Sequence, residues 1–545
     1  MVSAIRVGMV LRPLARLSGG ASLLALVACS NAVTQGGASG GSESAVGSGG
    51  TGTLASGGTA PNPSGTNSTG VGGAPGTQPS GSGGSASAAG GSPVVLPGGT
   101  ITYYQHLAPI ITAKCTGCHQ AGSIAPFSLT SYEDAKKWGP TLLPSIDSGA
   151  MPPWGQASTA ECQPRFGFKN DRRLSAQEKA LFHAWVDMGM QAGDPNTAAP
   201  LPPMASLDLA NANATVKMEA TASVSGVNDK FICFPLDPKL AQDVWLTGTQ
   251  VIAGNKAVVH HVLVFDDPNG ESVAKAGSAG QYECLGGAGT SGSSLLSAWA
   301  PGATAAEMPP DVGIPVKAGS HLVMQIHYHP TGNGTEMDNN TAVALRWVTT
   351  EPKYTGQLAL IGNFRGAMPG GSGLLPGPND SGPNPEFLIP AGVKDHTETQ
   401  KFVLPGGAQA AALGAKYYVF GAGTHMHYVG RDMKIDVHRP APTASQPADE
   451  CLVQTPNWDF NWQGAYFYDA PLLNLPTLSP GDEIGLRCTF DNTLGNPFLP
   501  AALDSQGLKA PVDVRLGEAT LDEMCLGIFG IAIDSRFAAA AAALK

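Results

Sequence analysis

Six of the chain's 12 histidines fall into three tight groups between residues 260 and 427. Val258-Val259-His260-His261-Val262 sets two imidazoles side by side. Gln325-Ile326-His327-Tyr328-His329 and Gly423-Thr424-His425-Met426-His427 each set two imidazoles two residues apart. Imidazole suits copper among other transition metals, and a thioether sulfur favours the monovalent state of copper. A different signal lies upstream. Cys115-Thr116-Gly117-Cys118-His119 is the CxxCH pattern for covalent attachment of haem c, with thioether links from both cysteines and His119 as the proximal iron ligand. The second CxxC pair that a zinc site would call for is missing from the sequence.

The elements around these groups can be read from local pattern. Val258 to Phe265, His321 to His329, Ala342 to Val348 and Lys416 to Phe420 are short runs of β-branched or aromatic residues between Pro and Gly loops, so the chain is expected to be β from about Ala205 onward. Neighbouring residues of a strand point to opposite faces, so His260 and His261 reach one ion only if the strand bulges there. His327 and His329 share a face, as do His425 and His427, and the latter spacing lets one strand offer two imidazoles to one ion. The β part is long for one sandwich and is expected to form two, over 205–350 and 351–537, with a boundary near Thr349–Gly356. Upstream, Tyr103 to Ala113 reads as a helix leading into Cys115. Ser175-Ala176-Gln177-Glu178 is a capping box that starts a helix carrying Leu181, Trp185 and Met188 and ending near Gly189. A small all-α haem domain is expected over 99–196. Within it, Met151 in Gly149-Ala150-Met151-Pro152-Pro153-Trp154 resembles the axial Met of mono-haem cytochromes c, a ligation that raises the redox potential. Met188 and Met190 are the competing ligands and read instead as core packing; His106 and His183 read as ordinary side chains.

Composition bounds the rest. Charged residues make up 13% and the net charge is −11, which argues against a nucleic-acid partner. Arg6, Arg12 and Arg16 precede a short apolar run, Ala21 to Ala28, too short to cross a bilayer. Leu26-Val27-Ala28-Cys29 resembles a bacterial lipobox. That resemblance implies a signal peptide over 1–28, lipidation of Cys29 and, with Ser30 following, an outer-membrane lipoprotein touching the membrane through its lipid only. Residues 29–98 are almost wholly Gly, Ser, Thr, Ala and Pro, and are expected to form a disordered tether. Gly47-Ser48-Gly49-Gly50-Thr51-Gly52 fits GxGxxG, but without a preceding strand or a following helix it is a compositional accident. The Ala-rich tail after Phe537 is expected to be disordered or a frayed helix.

The histidine set resembles the type II copper monooxygenases that hydroxylate peptidylglycine and dopamine, over roughly residues 225–535. That family has two jelly-roll-like domains with one copper in each. Its first domain uses a His-His pair and a His in a QxHY strand, which match His260, His261 and His327. Its second uses an HxH pair, matching His425 and His427, and a Met beside a Cys in a short acidic segment. Thr520-Leu521-Asp522-Glu523-Met524-Cys525 is similar to that segment. The resemblance implies that His425, His427 and Met524 hold the oxygen-reactive copper while the three-imidazole site supplies the second electron. It also implies disulfides Cys488–Cys525 and Cys233–Cys284, which suit an oxidising compartment; Cys162 and Cys451 are left over without an assigned partner. His329 has no ligand role in the family and reads as a solvated histidine. Peptide-amidating members carry an Arg and a Tyr where this chain has Gly423 and Ile528, so peptidylglycine is not the expected substrate. The resemblance thus implies O2, an unidentified small organic substrate and an external donor, ascorbate-like or a periplasmic carrier; the CxxCH domain is foreign to the animal members of the family and, as a one-electron carrier, is expected to replace or relay the ascorbate. The competing expectation is a non-enzymatic haem–copper lipoprotein that transfers electrons or binds copper.

Overall fold

The computed structural model describes residues 96–121, 123, 125–203, 208–332, 334–363, 373–381, 384–404 and 416–542. The expected signal peptide over 1–28, Cys29, the GxGxxG match and all but residues 96–98 of the expected tether lie outside the described residues.

The chain is mainly β, as expected, with its strands in several sheets. One sheet runs through both halves. Its order is Tyr282–Glu283, Lys230–Leu236, His321–Tyr328, Val259–Asp267, Leu295–Trp299, Tyr354–Asn363, Cys525–Asp534 and Tyr417–His425. The link is Tyr354–Asn363, which pairs over its whole length with Cys525–Asp534 and touches Leu295 of the first half through Leu358. In the first half this sheet is complemented by Ala214–Lys217, Ala342–Val348, Val244–Ile252 and Val312–Val316. In the second half it is complemented by the four-stranded antiparallel sheet Lys394–Val403, Glu483–Asp491, Gly430–His438 and Asp449–Thr455. Inward-facing residues of the strands, among them Val262, Val264, Ile326, Phe420, Leu486 and Phe529, are buried in one apolar cluster that covers both halves. The histidine groups therefore ride on strands fixed by a common core.

The upstream helices form their own small core of Leu107, Ile111, Phe182 and Trp185. A π-helical turn, Tyr103–Leu107, continues as the α-helix Ala108–Lys114 into Cys115. The capping box is present: Ser175 Oγ accepts from Glu178 N, and Glu178 Oε2 accepts from Ser175 N at 2.7 Å, opening the helix Ala176–Asp187. Leu181 and Trp185 are buried as expected, but Met188 is not core. It caps the helix, is 45% exposed, and its sulfur accepts from Ile101 N. A further helix, Tyr132–Asp147, is capped by Ser131 and contains Pro140 and Pro144, whose breaker signal hides it in the sequence. The Ala-rich end is helical over Ser535–Ala542.

Within 99–196, the stretch from Trp154 to Lys169 leaves the helices and packs on the second sandwich. Ala157 N donates to Gln454 O at 3.1 Å, Lys169 N to Phe467 O at 2.8 Å, and Asp469 N to Gly167 O at 2.8 Å. Phe168 is buried in the β core, stacked 5.0 Å from Tyr468. Cys162 forms a disulfide with Cys451, which gives the two leftover cysteines a partner. The disulfides Cys233–Cys284 and Cys488–Cys525 are present as the resemblance implied.

Candidate metal and redox site

The strand Val259–Asp267 bulges where two of its histidines must converge. His327 lies opposite His261, but the next residue, Tyr328, lies opposite Val259, so His260 is the extra residue of a β-bulge. The bulge turns both rings toward His327. His260 Nδ1 and His261 Nδ1 approach to 3.2 Å, and so do His261 Nδ1 and His327 Nδ1. Nitrogens ~3.3 Å apart are the edge of a tetrahedron with metal–imidazole bonds of ~2.0–2.1 Å. The buried Nε2 of His260 has no hydrogen-bond partner. Burial, together with neighbouring imidazoles, holds His260 and His261 well below the usual histidine range, so both are neutral donors. Three converging imidazoles, two of them held neutral by burial, fit a copper ion.

Other residues orient this group. Phe231 stacks on the His327 ring at 4.3 Å, and Phe460, from the second sandwich, stacks on His260 at 4.5 Å. Asp229 accepts from His329 Nδ1 at 2.7 Å and from Thr520 Oγ1 at 2.9 Å, and lies 3.4 Å from His327 Nε2. Burial pushes the Asp229 carboxyl up, but the hydrogen bonds from His327 and His329 outweigh it and hold it far below the usual carboxylate range. His329 is thus a half-exposed partner of Asp229, not a freely solvated side chain.

The second group is built at a strand end. The strand Tyr417–His425 stops at His425, Met426 turns into the core, and His427 stands in the following turn, so the HxH pair does not share one extended face. The two rings are nonetheless 5.2 Å apart, near perpendicular. His425 Nδ1 donates to Gln463 Oε1 at 2.7 Å and His427 Nδ1 to Asp522 O at 3.0 Å, which leaves both Nε2 atoms as the unprotonated, metal-ready nitrogens. Burial, with the neighbouring imidazole for His425, lowers these rings to about 3 and about 4. Met524 precedes the strand Cys525–Asp534, pinned through Cys525 to Cys488. Glu523 beside it is fully buried and accepts from the backbone N–H groups of Met524, at 2.8 Å, and of His427. Burial pushes its carboxyl up to about 8 despite these donors. Glu523 thereby ties the His427 turn to the Met524 segment.

The two groups meet in one cleft of about 1370 Å³, lined by His261, His327, His425, His427 and Met524 and by Trp154, Trp299, Trp462 and Tyr466. His261 and His425 have ring centroids 6.1 Å apart across it. Gly423 also lines the strand beneath: a Cβ there would stand 2.8 Å from Ala465 Cα, so this backbone excludes a long side chain at that position.

In the helical part, His119 Nδ1 donates to Phe127 O at 3.1 Å, leaving Nε2 unprotonated for iron. Phe127 packs 4.5 Å from His119 and stacks at 4.3 Å on Trp138 of the helix Tyr132–Asp147, at whose end Met151 lies in a turn. Cys115, one turn before His119, and Cys118, its neighbour, are free thiols, while the other six described cysteines are in disulfides. Burial pushes the Cys115 thiol up to about 12 and Cys118 up as well. Uncommitted thiols beside an oriented imidazole fit thioether attachment of haem. His106 accepts from Thr102 N and His183 pairs with Asp147, ordinary roles as expected.

Asp229, Phe460, Gln463, Trp154 and Arg172 join these sites without any local sequence signal. Glu523 stood inside the quoted TLDEMC segment, and its place between a candidate ligand and a cysteine was the available signal.

Residues 216–334 match the family model for the copper type II ascorbate-dependent monooxygenase, N-terminal domain. That segment holds His260, His261 and His327, and it supports copper-dependent monooxygenase activity in general. No curated protein matches the chain. Among solved structures, the major capsid protein P2 of bacteriophage PM2 is 8% identical with a TM-score of 0.24, covering 59% of this chain and 97% of that one. A structure described as the triple jelly roll fold and turret assembly of an archaeal virus is 8% identical with a TM-score of 0.13, covering 61% and 64%. Likenesses this low carry no argument. Among the described residues, no helix is long and apolar enough to cross a membrane.

Proposed function

We propose that the chain is an exported copper monooxygenase with two copper ions and one covalent haem c, inserting one atom of O2 into a C–H bond of a small organic substrate and releasing the other as water. The observation that carries the reading is the single cleft onto which both histidine groups and Met524 open. His260, His261 and His327 would hold one copper. His425, His427 and Met524 would hold the other, where the thioether favours the monovalent ion. Bound copper supplies one-electron redox chemistry toward O2, and the two-electron reaction needs electrons delivered singly.

The protein's part is positional. Asp229 and Phe231 fix His327; Gln463 and the Asp522 carbonyl fix the rings of His425 and His427; Glu523 fixes the backbone between the HxH turn and Met524. The aromatic and apolar walls, including Trp299, Trp462, Leu526 and Ile528, suit an apolar substrate body and restrict water. With Gly423 unable to carry a longer side chain and Ile528 apolar, the cleft lacks the family's carboxylate clamp at those positions, so peptidylglycine is not the substrate. His119, Cys115, Cys118 and Met151 would hold the haem, re-reduced by an ascorbate-like or periplasmic donor. Cys29 would carry the lipid anchor to the outer membrane.

The test is copper and haem content of the exported protein, followed by a substrate screen under labelled O2 with a reductant. Labelled oxygen in an organic product, dependent on copper, is the expected result. Reductant-driven O2 consumption that never labels a product would leave an electron-transfer protein instead.

A further inference from the structure

We propose that the segment Trp154–Arg172 is a covalent docking strap that holds the CxxCH domain at the mouth of the copper cleft, with Trp154 and Arg172 as the coupling contacts between haem pocket and copper ligands. The proposal rests on the haem reading above. An electron-carrying domain on a loose linker would meet its acceptor by diffusion; here the connection is built into the core.

The strap is secured at four kinds of contact. Its backbone hydrogen-bonds to Gln454 and Phe467 of the second sandwich. Phe168 sits in the β core, 7% exposed. Arg165 pairs with the buried Glu450, and Glu161 with Arg487. Cys162–Cys451 closes a loop with a sequence separation of 289, and a crosslink restricts the unfolded chain more the longer the loop it closes. The buried residues of the helical core all lie outside the strap.

Arg172 touches both sites, and Trp154 joins the copper side to the Met151 turn through the chain. Trp154 follows Met151 by three residues and meets the Tyr466 ring edge-on at 5.0 Å. Tyr466 Oη accepts from Gln156 N at 3.1 Å, and the strand Gly464–Phe467 pairs with that of His425 through Gly464 and Thr424. At the other end, Arg172 Nη1 lies 4.0 Å from Cys118 Sγ, and its Nη2 donates to Gly302 O at 3.0 Å. Gly302 packs against Trp462, the neighbour of the Gln463 that holds His425. Trp154, Arg172, Trp462 and Tyr466 all line the cleft. The electron balance is simple: ferrous haem becomes ferric as Cu(II) becomes Cu(I), with no bond made or broken, and the external one-electron donor then restores the ferrous haem.

The test uses the full chain loaded with haem and oxidised copper, without O2. The haem is reduced by a photoreductant flash; its reoxidation is followed by absorbance and the loss of Cu(II) by electron paramagnetic resonance. Wild type should reoxidise with first-order kinetics, at a rate unchanged over tenfold dilution. Trp154→Leu combined with Arg172→Gln should slow that rate at least tenfold while haem spectrum and copper content stay as in wild type. Cys162→Ser combined with Cys451→Ser should open the strap to limited proteolysis and slow the same step. A wild-type rate that falls with dilution, or a Trp154/Arg172 variant as fast as wild type, overturns the strap with the haem reading intact. A wild-type chain without covalent haem overturns the haem reading itself.

Discussion

Replacing Asp229 by Asn separates the positioning shell of the three-imidazole group from the ligands themselves. The carboxylate receives hydrogen bonds from His329 and Thr520 and faces His327 Nε2 at 3.4 Å. Asn keeps the shape but puts an NH2 donor where one of these donors now points, and removes the charge that opposes cation loss from the site. Loss of such a partner to a metal-ligating His lowers metal affinity by about 10–100-fold, or ~1.4–2.7 kcal/mol. The apo protein should also lose ~1–3 kcal/mol, because a buried donor is left unpaired. Competition titration against a Cu(I) chelator should show two steps in wild type, with only the step of the His260 group weakened in Asp229→Asn. The group's lowered pKa means that its contribution is present above the unfolded value of about 3.9 and lost only as pH falls through the folded one. The effect should therefore be flat between pH 5 and 8. A folded Asp229→Asn whose two copper steps match wild type within twofold would refute the positioning argument.

The remaining predictions concern protonation and haem. In the metal-free protein, His425 and His427 are depressed to about 3 and about 4, so between there and about 6.5 the unfolded chain binds protons that the folded chain does not. Stability should accordingly fall as pH drops from 6.5 toward 4, by at most ~1.4 kcal/mol per pH unit per histidine; urea titrations showing no fall, or a rise, would contradict neutral rings. Haem should survive denaturing electrophoresis and disappear when Cys115 and Cys118 are both replaced by Ala; staining that persists in the double variant would refute attachment there. Met151→Ala should alter the ferric absorption of Met ligation, and an unchanged spectrum would exclude Met151 as the axial ligand.

Much of the site was legible because metal ligands are written in rare residue types at fixed spacings. The His260–His261 pair even announced its own bulge, since an unbent strand cannot aim neighbours at one point. The β class was legible from alternation and turn residues, and the capping box located its helix. What escaped is what the fold alone brings together. Asp229 and Thr520 lie far apart in sequence, as do Phe460 and His260, and single acidic or aromatic residues carry no local pattern. The HxH pair was expected on one strand face, but the strand ends at His425 and a turn held by Glu523 presents His427. The strap was hidden because Trp154–Lys169 lies between helical segments and has no periodicity of its own; its backbone hydrogen bonds, the buried Phe168 and the pairing of Cys162 with Cys451 show where it goes.

The most direct test of the account is X-ray absorption on the reduced, copper-loaded protein, comparing wild type with Met524→Ile. Ile retains an apolar side chain of similar bulk at this buried position and removes only the sulfur. The account predicts two copper ions in the wild type and a copper–sulfur scattering shell. In Met524→Ile that shell should be absent, the His260 group should keep its copper, and Cu(I) should bind more weakly at His425 and His427. A sulfur shell unchanged in Met524→Ile, or copper lost equally from both groups, would contradict the assignment of the oxygen-reactive site.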